Sequence, residues 1–261
     1  MTNRLRNNVP IIIANWKMHG LLLETMQLFK DLRSRIHKNL VSCEIVICPP
    51  FTLLRDMAEK VPGTGVKLGG QDCHWDKEGS YTGEISAIML EDMTCEFVIV
   101  GHSERRINHH ETSQIIAKKA EAAHASSLIS IICIGENREQ RESGNTKDII
   151  KNQMLESIPR SANSQNTIIA YEPIWAIGAK SPASVEQIQE IHQYIKEVAK
   201  KDIKQFESDI KIVYGGSVTE ENSLTILNTP GVDGLLVGRA SLDANKFWQI
   251  IEDAGKVKIG V

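Results

Sequence analysis

Eight short, almost wholly apolar runs recur along this chain, each followed by a longer amphipathic stretch, and no other feature limits the fold so strongly. The runs span residues 11–14, 44–48, 66–70, 97–101, 130–134, 167–171, 210–214 and 232–237, and they are rich in β-branched side chains. Continuous apolar runs of this length suit strands buried on both faces. Helical patterns lie between them, at roughly residues 21–37, 52–60, 86–92, 111–125, 145–157, 184–201, 220–227 and 242–253. Ser184 with Gln187 reads as a capping box opening one of these helices. Strict alternation of strand and helix predicts an α/β fold with a parallel sheet. Some eight units in about 250 residues have the size and rhythm of one closed (β/α)8 barrel with outer helices. A doubly wound open sheet is the second reading, weakened because no G-x-G-x-x-G turn follows the first strand.

No Gly/Ser/Pro-rich linker divides the 261 residues, so the chain reads as one barrel domain, with 1–9 as a flexible N-terminal extension. A net charge of -3 gives no footprint for nucleic acid or an anionic membrane surface. The polar N-terminus and the short Ile11-Ile12-Ile13 run fall short of a signal sequence or a membrane span. Five cysteines, odd in number and without C-x-x-C spacing, suit reduced thiols. Together these predict a soluble, cytoplasmic protein.

In such a barrel, chemistry gathers where strands end. The sixth run delivers Glu172 at its end, and Pro173, with fixed φ and no N–H, stops the strand there. The loop that follows, Pro173-Ile174-Trp175-Ala176-Ile177-Gly178, is too apolar to be left in water and reads as a lid over a pocket. The first run ends in Asn15-Trp16-Lys17, whose alternation turns an amide and an ammonium the same way. The fourth ends in Gly101-His102-Ser103-Glu104, where a titratable pair directly follows a buried strand. The fifth ends in Cys133-Ile134-Gly135-Glu136. After the seventh and eighth, Gly215-Gly216-Ser217 and Gly238-Arg239 offer backbone N–H groups to an anion, in the two units where barrels bind phosphate.

Other features read as structural. Adjacent His109 and His110 diverge and have no third ligand, so no metal is expected; His37, His124 and His192 fall on helices as surface or interface residues. Arg138, Arg141 and Lys147 read as a solvated helix face, and Cys133 as a small packing residue.

Assembled in order, these stretches resemble the triosephosphate isomerase family over nearly the whole chain. The resemblance is carried by Asn15-Trp16-Lys17-Met18, Gly70-Gln71-Asp72, Tyr81-Thr82-Gly83-Glu84-Ile85-Ser86, Gly101 to Arg106, Cys133 to Glu136, Tyr171 to Gly178, Tyr214 to Val218 and Asp233 to Gly238. It implies a TIM barrel that interconverts glyceraldehyde 3-phosphate and dihydroxyacetone phosphate, a step of glycolysis and gluconeogenesis, without metal or organic cofactor. Glu172 corresponds to the family's base and His102 to its electrophile, a neutral imidazole known in this family to polarise the carbonyl under a closed lid. Lys17 corresponds to the source of positive field, Asn15 to a donor on the same oxygens, and Glu104 to a partner steadying Lys17. Gly178, Ser217, Gly238 and Arg239 correspond to the phosphate grip. The excursion from Gln71 through Thr82, Gly83 and Glu84 resembles an interdigitating loop, which implies a homodimer with Thr82 near the neighbouring site.

The lid departs from the family pattern in Ala179-Lys180-Ser181-Pro182-Ala183-Ser184. There Lys180 replaces a glycine and Pro182 stiffens the hinge, so lid kinetics are expected to differ while chemistry stays intact. Arg239 stands where many members have a second glycine. Three rivals remain: isomerisation of a tetrulose phosphate, a Schiff-base aldolase using Lys17, and a non-catalytic phosphate-binding barrel. Asn15 ahead of Trp16-Lys17 favours the triose, an aldolase leaves Glu172 without a task, and a binder needs no base.

Overall fold

The computed structural model describes residues 5, 9–39, 41–178, 182–206 and 209–257. Strands β1 (Ile11–Asn15), β2 (Glu44–Cys48), β3 (Val66–Gly70), β4 (Cys95–Val100), β5 (Ile129–Ile134), β6 (Thr167–Tyr171), β7 (Lys211–Tyr214) and β8 (Gly234–Val237) pair in chain order. All pairings are parallel, and β8 closes on β1 with Ile11 opposite Gly234 and Ala14 opposite Val237. The closed barrel replaces the open-sheet alternative. Its outer layer is α1 (Leu22–Lys38), α2 (Leu54–Lys60), α3 (Ala87–Asp92), α4 (Ser103–Asn108), α5 (Ser113–Ala125), α6 (Arg138–Glu142), α7 (Thr146–Ser157), α8 (Val185–Asp202), α9 (Ser223–Leu227) and α10 (Ala244–Gly255). Among the described residues no helix is long and apolar enough to cross a membrane.

Period-two alternation splits the apolar residues into two cores. Ile11, Ile13, Phe97, Ile99, Ile168, Ala170, Val213 and Leu236 fill the barrel interior, whereas Ile12, Ala14, Val98, Val100 and Ile169 face the helices. The same parity, carried one step beyond the inward residues, turns Asn15, Glu172, Gly215 and Gly238 towards the barrel mouth. At the opposite end Leu5, 1% exposed, joins the inner core. Lys211 Nζ donates to the Val9 carbonyl 3.0 Å away.

Local chemistry sets the helix ends. Ser184 and Gln187 form the capping box expected for α8, and Thr112 and Asp243 cap α5 and α10. Two helices escape a periodicity search: α4 and α6 are single-turn segments of mostly polar residues with no apolar stripe. The helix expected from 111 begins at Ser113, because Thr112 caps it and Glu111 turns inward instead. The helix expected over 220–227 is only Ser223–Leu227. The fourth strand stops at Val100, one residue short of expectation, since Gly101 takes φ 70° to turn the chain into α4.

His192 corrects a surface assignment. It is wholly buried on α8, with Nδ1 3.0 Å from the Gly231 carbonyl and its ring edge against Tyr171. His124 is half-buried: its ring nitrogens meet Ser161 Oγ at 2.8 Å and Ser130 Oγ at 2.9 Å. Burial lowers the pKa of both rings to about 4, from 6.5. With the folded pKa depressed, the unfolded chain binds more protons between those values, so stability is full above pH 6.5 and lost as pH falls towards 4. At 1.36 kcal/mol per pKa unit, His192 accounts for about 3 kcal/mol of that loss. Urea unfolding between pH 7.5 and 4.5 should therefore show a steep decline that His192→Gln flattens by roughly half; parallel curves would refute it.

Candidate active site

Lys17 sits at φ 52°, a left-handed conformation that costs a side-chain-bearing residue about 1–3 kcal/mol. Neighbours impose it. Its N–H donates to Asn15 Oδ1 at 3.0 Å, and its carbonyl accepts from Gln71 Nε2 at 2.9 Å, which also donates to the Cys48 carbonyl. The bend aims the ammonium across the barrel mouth to Glu104 Oε1, 2.6 Å away. Gln71, expected as part of a dimer loop, thus also braces Lys17 within its own chain.

His102 caps the N-terminus of α4, its Nδ1 accepting the Glu104 N–H at 3.2 Å. That bond leaves the ring proton on Nε2, which lies 3.0 Å from Glu172 Oε1. The other carboxylate oxygen of Glu172 accepts the Ser103 N–H at 3.0 Å. Burial alone raises the Glu172 pKa, but the His102 ring, the Ser103 N–H and Lys17 outweigh it and hold the carboxyl below its ordinary range. Burial opposes charge on His102 as well, but the Glu172 carboxylate outweighs it and raises the ring's pKa above its ordinary value in this arrangement. Glu172 is therefore an ionised base at neutral pH, parked on two donors.

Gly135 decides where Glu172 can sit. A Cβ there would lie 1.7 Å from the Glu172 carbonyl oxygen, so only glycine allows β5 and β6 to end this close, with Glu172 N–H donating to the Ile134 carbonyl at 2.8 Å. On the other side, a Cβ on Gly215 would meet Glu172 Cγ at 3.0 Å, so glycine leaves the side chain room to swing.

A cavity of about 640 Å³ opens at the strand ends, lined by Asn15, Lys17, His102, Glu104, Glu172, Ile177, Gly178, Gly216, Ser217, Gly238 and Arg239. Every residue expected to be catalytic or to grip phosphate thus borders one space. The Ser217 carbonyl is tied to Asn222 Nδ2 at 3.0 Å, and Asn222 Oδ1 accepts the Thr219 N–H at 2.9 Å, which stiffens the turn after β7. Arg239 is exposed at this rim.

Of the expected lid, Ile174–Ala176 forms a short 3-10 turn after Pro173, and Gly178 takes φ 65°. Ala179, Lys180 and Ser181 lie outside the described residues; Pro182 and Ala183 lead into the Ser184 cap. Glu136, a strand-end acid given no role from sequence, anchors the lid's base. Wholly buried, it accepts from Trp175 Nε1 at 2.8 Å and from the Tyr171 hydroxyl at 3.2 Å. Arg141 completes the group, 3.3 Å from Glu136 and 5.3 Å over the Trp175 ring, so it is no part of a solvated face. Arg138 and Lys147 do stay exposed, paired with Glu142 and Glu190. The signal for Glu136 was its place two residues past a buried strand; Arg141 lies only five residues on, but Tyr171 and Trp175, 35 and 39 residues away, are brought to it by the fold alone.

Thr82, Gly83 and Glu84 are exposed, away from this chain's own cavity. All five cysteines are free and buried. Burial, then the Glu172 charge, pushes the Cys133 thiol well above its ordinary pKa, so it packs as a neutral thiol. Among the described residues no three His, Cys, Asp or Glu side chains are grouped to hold a metal ion.

An ionised carboxylate, an imidazole and an ammonium around one cavity, at the C-terminal ends of eight parallel strands, define an acid–base enzyme of the (β/α)8-barrel class. The family model for triosephosphate isomerase matches residues 10–254. The triosephosphate isomerase of Alkaliphilus oremlandii is 44% identical over 93% of this chain and 98% of its own, and that of Dictyoglomus thermophilum 43% over 93% and 98%. The crystal structure of triosephosphate isomerase from Bartonella henselae superposes with a TM-score of 0.86 at 36% identity, covering 95% of this chain and 99% of that one. The chain belongs to the triosephosphate isomerase family.

Proposed function

We propose that this enzyme interconverts D-glyceraldehyde 3-phosphate and dihydroxyacetone phosphate through an enediolate, with Glu172 as the shuttling base. The observation that carries the reading is Glu172 held ionised 3.0 Å from a proton-bearing His102 Nε2, with Lys17 on the same cavity. Glu172 leaves the Ser103 N–H and takes a proton from the carbon beside the substrate carbonyl. The C–H electron pair becomes the new C=C bond, and the carbonyl π pair moves onto oxygen. Lys17, the His102 Nε2–H and the Asn15 amide, fixed before reaction, stabilise that oxyanion. His102 Nε2–H gives its proton to the oxyanion and regains one from the hydroxyl on the carbon first deprotonated, whose oxygen becomes the new carbonyl, while the glutamic acid returns its proton to the neighbouring carbon. Backbone N–H groups near Gly178, Ser217 and Gly238, with the Arg239 guanidinium at the rim, take the phosphate dianion. Closure of the 173–184 lid excludes water, which limits loss of phosphate from the enediolate.

The enzyme works as a homodimer in the cytoplasm. Met18, Leu21, Leu23, Tyr81, Ile88 and Met89 are exposed apolar side chains on the segments after β1 and β3, and Phe51, Ile85, Ile88 and Met89 share one apolar groove. A surface this apolar needs a partner, and a second copy brings Thr82 to the neighbouring site.

A coupled assay with each triose phosphate in turn, beside sedimentation of the purified protein, tests both statements. Fast turnover in both directions by a species of twice the chain mass is expected. Faster turnover of a tetrulose phosphate would move the substrate, and an active monomer would remove the dimer.

A further inference from the structure

Arg106 is part-buried on α4, four residues after His102, and it touches none of the cavity's space. Four of its five guanidinium N–H groups are engaged: Nε donates to the Gly101 carbonyl at 3.0 Å and Nη2 to the Cys133 carbonyl at 2.9 Å. Nη2 and Nη1 also reach Ser157 Oγ and Ser113 Oγ, each at 3.2 Å. All four acceptors are neutral. Among the described residues no carboxylate lies within 4.0 Å of this cation, whereas its neighbour Arg105 contacts two, Asp72 and Glu111. Burying part of a guanidinium without a contacting anion is costly, so the four hydrogen bonds it makes must hold it in a fixed place. The carboxylates whose fields reach it are Glu172, Glu111 and Glu156.

The two carbonyls are informative. Gly101 is the residue that turns β4 into the helix bearing His102 and the Ser103 N–H, and Cys133 lies on β5, against whose end the Glu172 backbone is bonded. One planar group therefore pins the donor side of the Glu172–His102 contact to the base side. A fork of fixed geometry can do this; a lysine ammonium, a point charge, cannot span both carbonyls and both hydroxyls.

We propose that Arg106 is a positioning residue for the isomerase reaction: it rivets the β4 end to the β5 end, fixing Glu172 against His102 and Ser103. This rests on the isomerase reading above. The charged and titratable groups acting on Glu172 are His102 from the β4 end, Lys17 from the segment after β1 and Cys133 from β5, with the Ser103 N–H beside His102. Loosening the rivet draws Glu172 away from the His102 and Ser103 donors that hold its carboxyl ionised.

The test compares wild type, Arg106→Lys and Arg106→Gln for kcat, KM and the acid limb of kcat/KM, with folding checked by circular dichroism. Arg106→Gln is expected to lower kcat by about 10- to 10²-fold, because the reacting groups drift, with KM within twofold and the acid limb moved to higher pH. Arg106→Lys is expected to lower kcat and move the limb in the same direction, since an ammonium cannot span the four acceptors. An unchanged kcat in Arg106→Gln, or a drop in both variants with neither limb moved, overturns the proposal and leaves a packing residue. Should Arg106→Gln fail to fold, Ser157→Ala removes one arm of the fork: a several-fold lower kcat at constant KM supports the rivet, and an unchanged kcat overturns it. Absence of turnover in the wild type would instead strike the isomerase reading itself.

Discussion

Glu172→Gln is expected to lower kcat by about 10³-fold while leaving the fold and the affinity for a phosphate-bearing inhibitor close to wild type. The amide keeps the shape of the carboxylate and can still accept the Ser103 N–H, so the 3.0 Å anchor survives. What it loses is the lone pair that takes the proton, and no other group on the cavity replaces it. His102 presents Nε2–H rather than a free lone pair, its Nδ1 being held by the Glu104 amide; Lys17 is paired with Glu104. Steady-state kinetics with isothermal titration of an inert phosphate ester separates the two effects. Turnover within tenfold of wild type would dismiss Glu172 as the base. Equal loss of turnover and binding would mean that the site had collapsed rather than lost its base.

Among the described glycines, Gly135 is the one where an added methyl, as in Gly135→Ala, should do most damage. Its Cβ would fall 1.7 Å from the Glu172 oxygen and 2.6 Å from the carbonyl carbon, both backbone atoms that cannot rotate away. Relief requires the ends of β5 and β6 to part, breaking the 2.8 Å bond from Glu172 N–H to the Ile134 carbonyl. Overpacking against yielding side chains costs about 1–3 kcal/mol, and a rigid neighbour places this substitution above that range. Because the atom struck belongs to the base itself, kcat should fall together with stability. Gly63→Ala is the control: it has φ 78° but nothing within 4 Å of the added Cβ, so it carries only the backbone strain of about 1 kcal/mol. Comparable urea midpoints for the two variants would show that the strand ends yield more readily than this packing implies.

Both expectations depend on contacts of different sequence range, and that difference separates what the chain revealed from what it withheld. Strand positions were legible because burial on both faces leaves long apolar runs with no competing pattern. Period two then carried Asn15 and Glu172 to the mouth, and proline or glycine just after six of the eight strands, all but β1 and β3, marked where regular structure stops. Histidine at the end of β4 belongs to the same local logic. Short helices such as α4 and α6 left no trace, since one turn of polar residues has no periodicity to read. Glu111 shows the opposite error: it sits in a helix-like stretch, yet it turns inward to meet Arg105 at 2.7 Å and Lys119 at 2.6 Å.

By itself, the sequence determined the barrel, the strand ends that face its mouth, and the residue types gathered there, because each follows from a repeat of two or from one residue's backbone preference. Only the tertiary structure decided that Glu172 rests on His102 and Ser103, that Glu136 holds Trp175, that Arg106 spans β4 and β5, and that His192 is buried. Each of those joins segments 30 to 70 residues apart or more in the chain, roughly one to two barrel units. The distance between such segments is set by how the barrel closes and by which side chains leave room, a property of packing that no single stretch of residues contains.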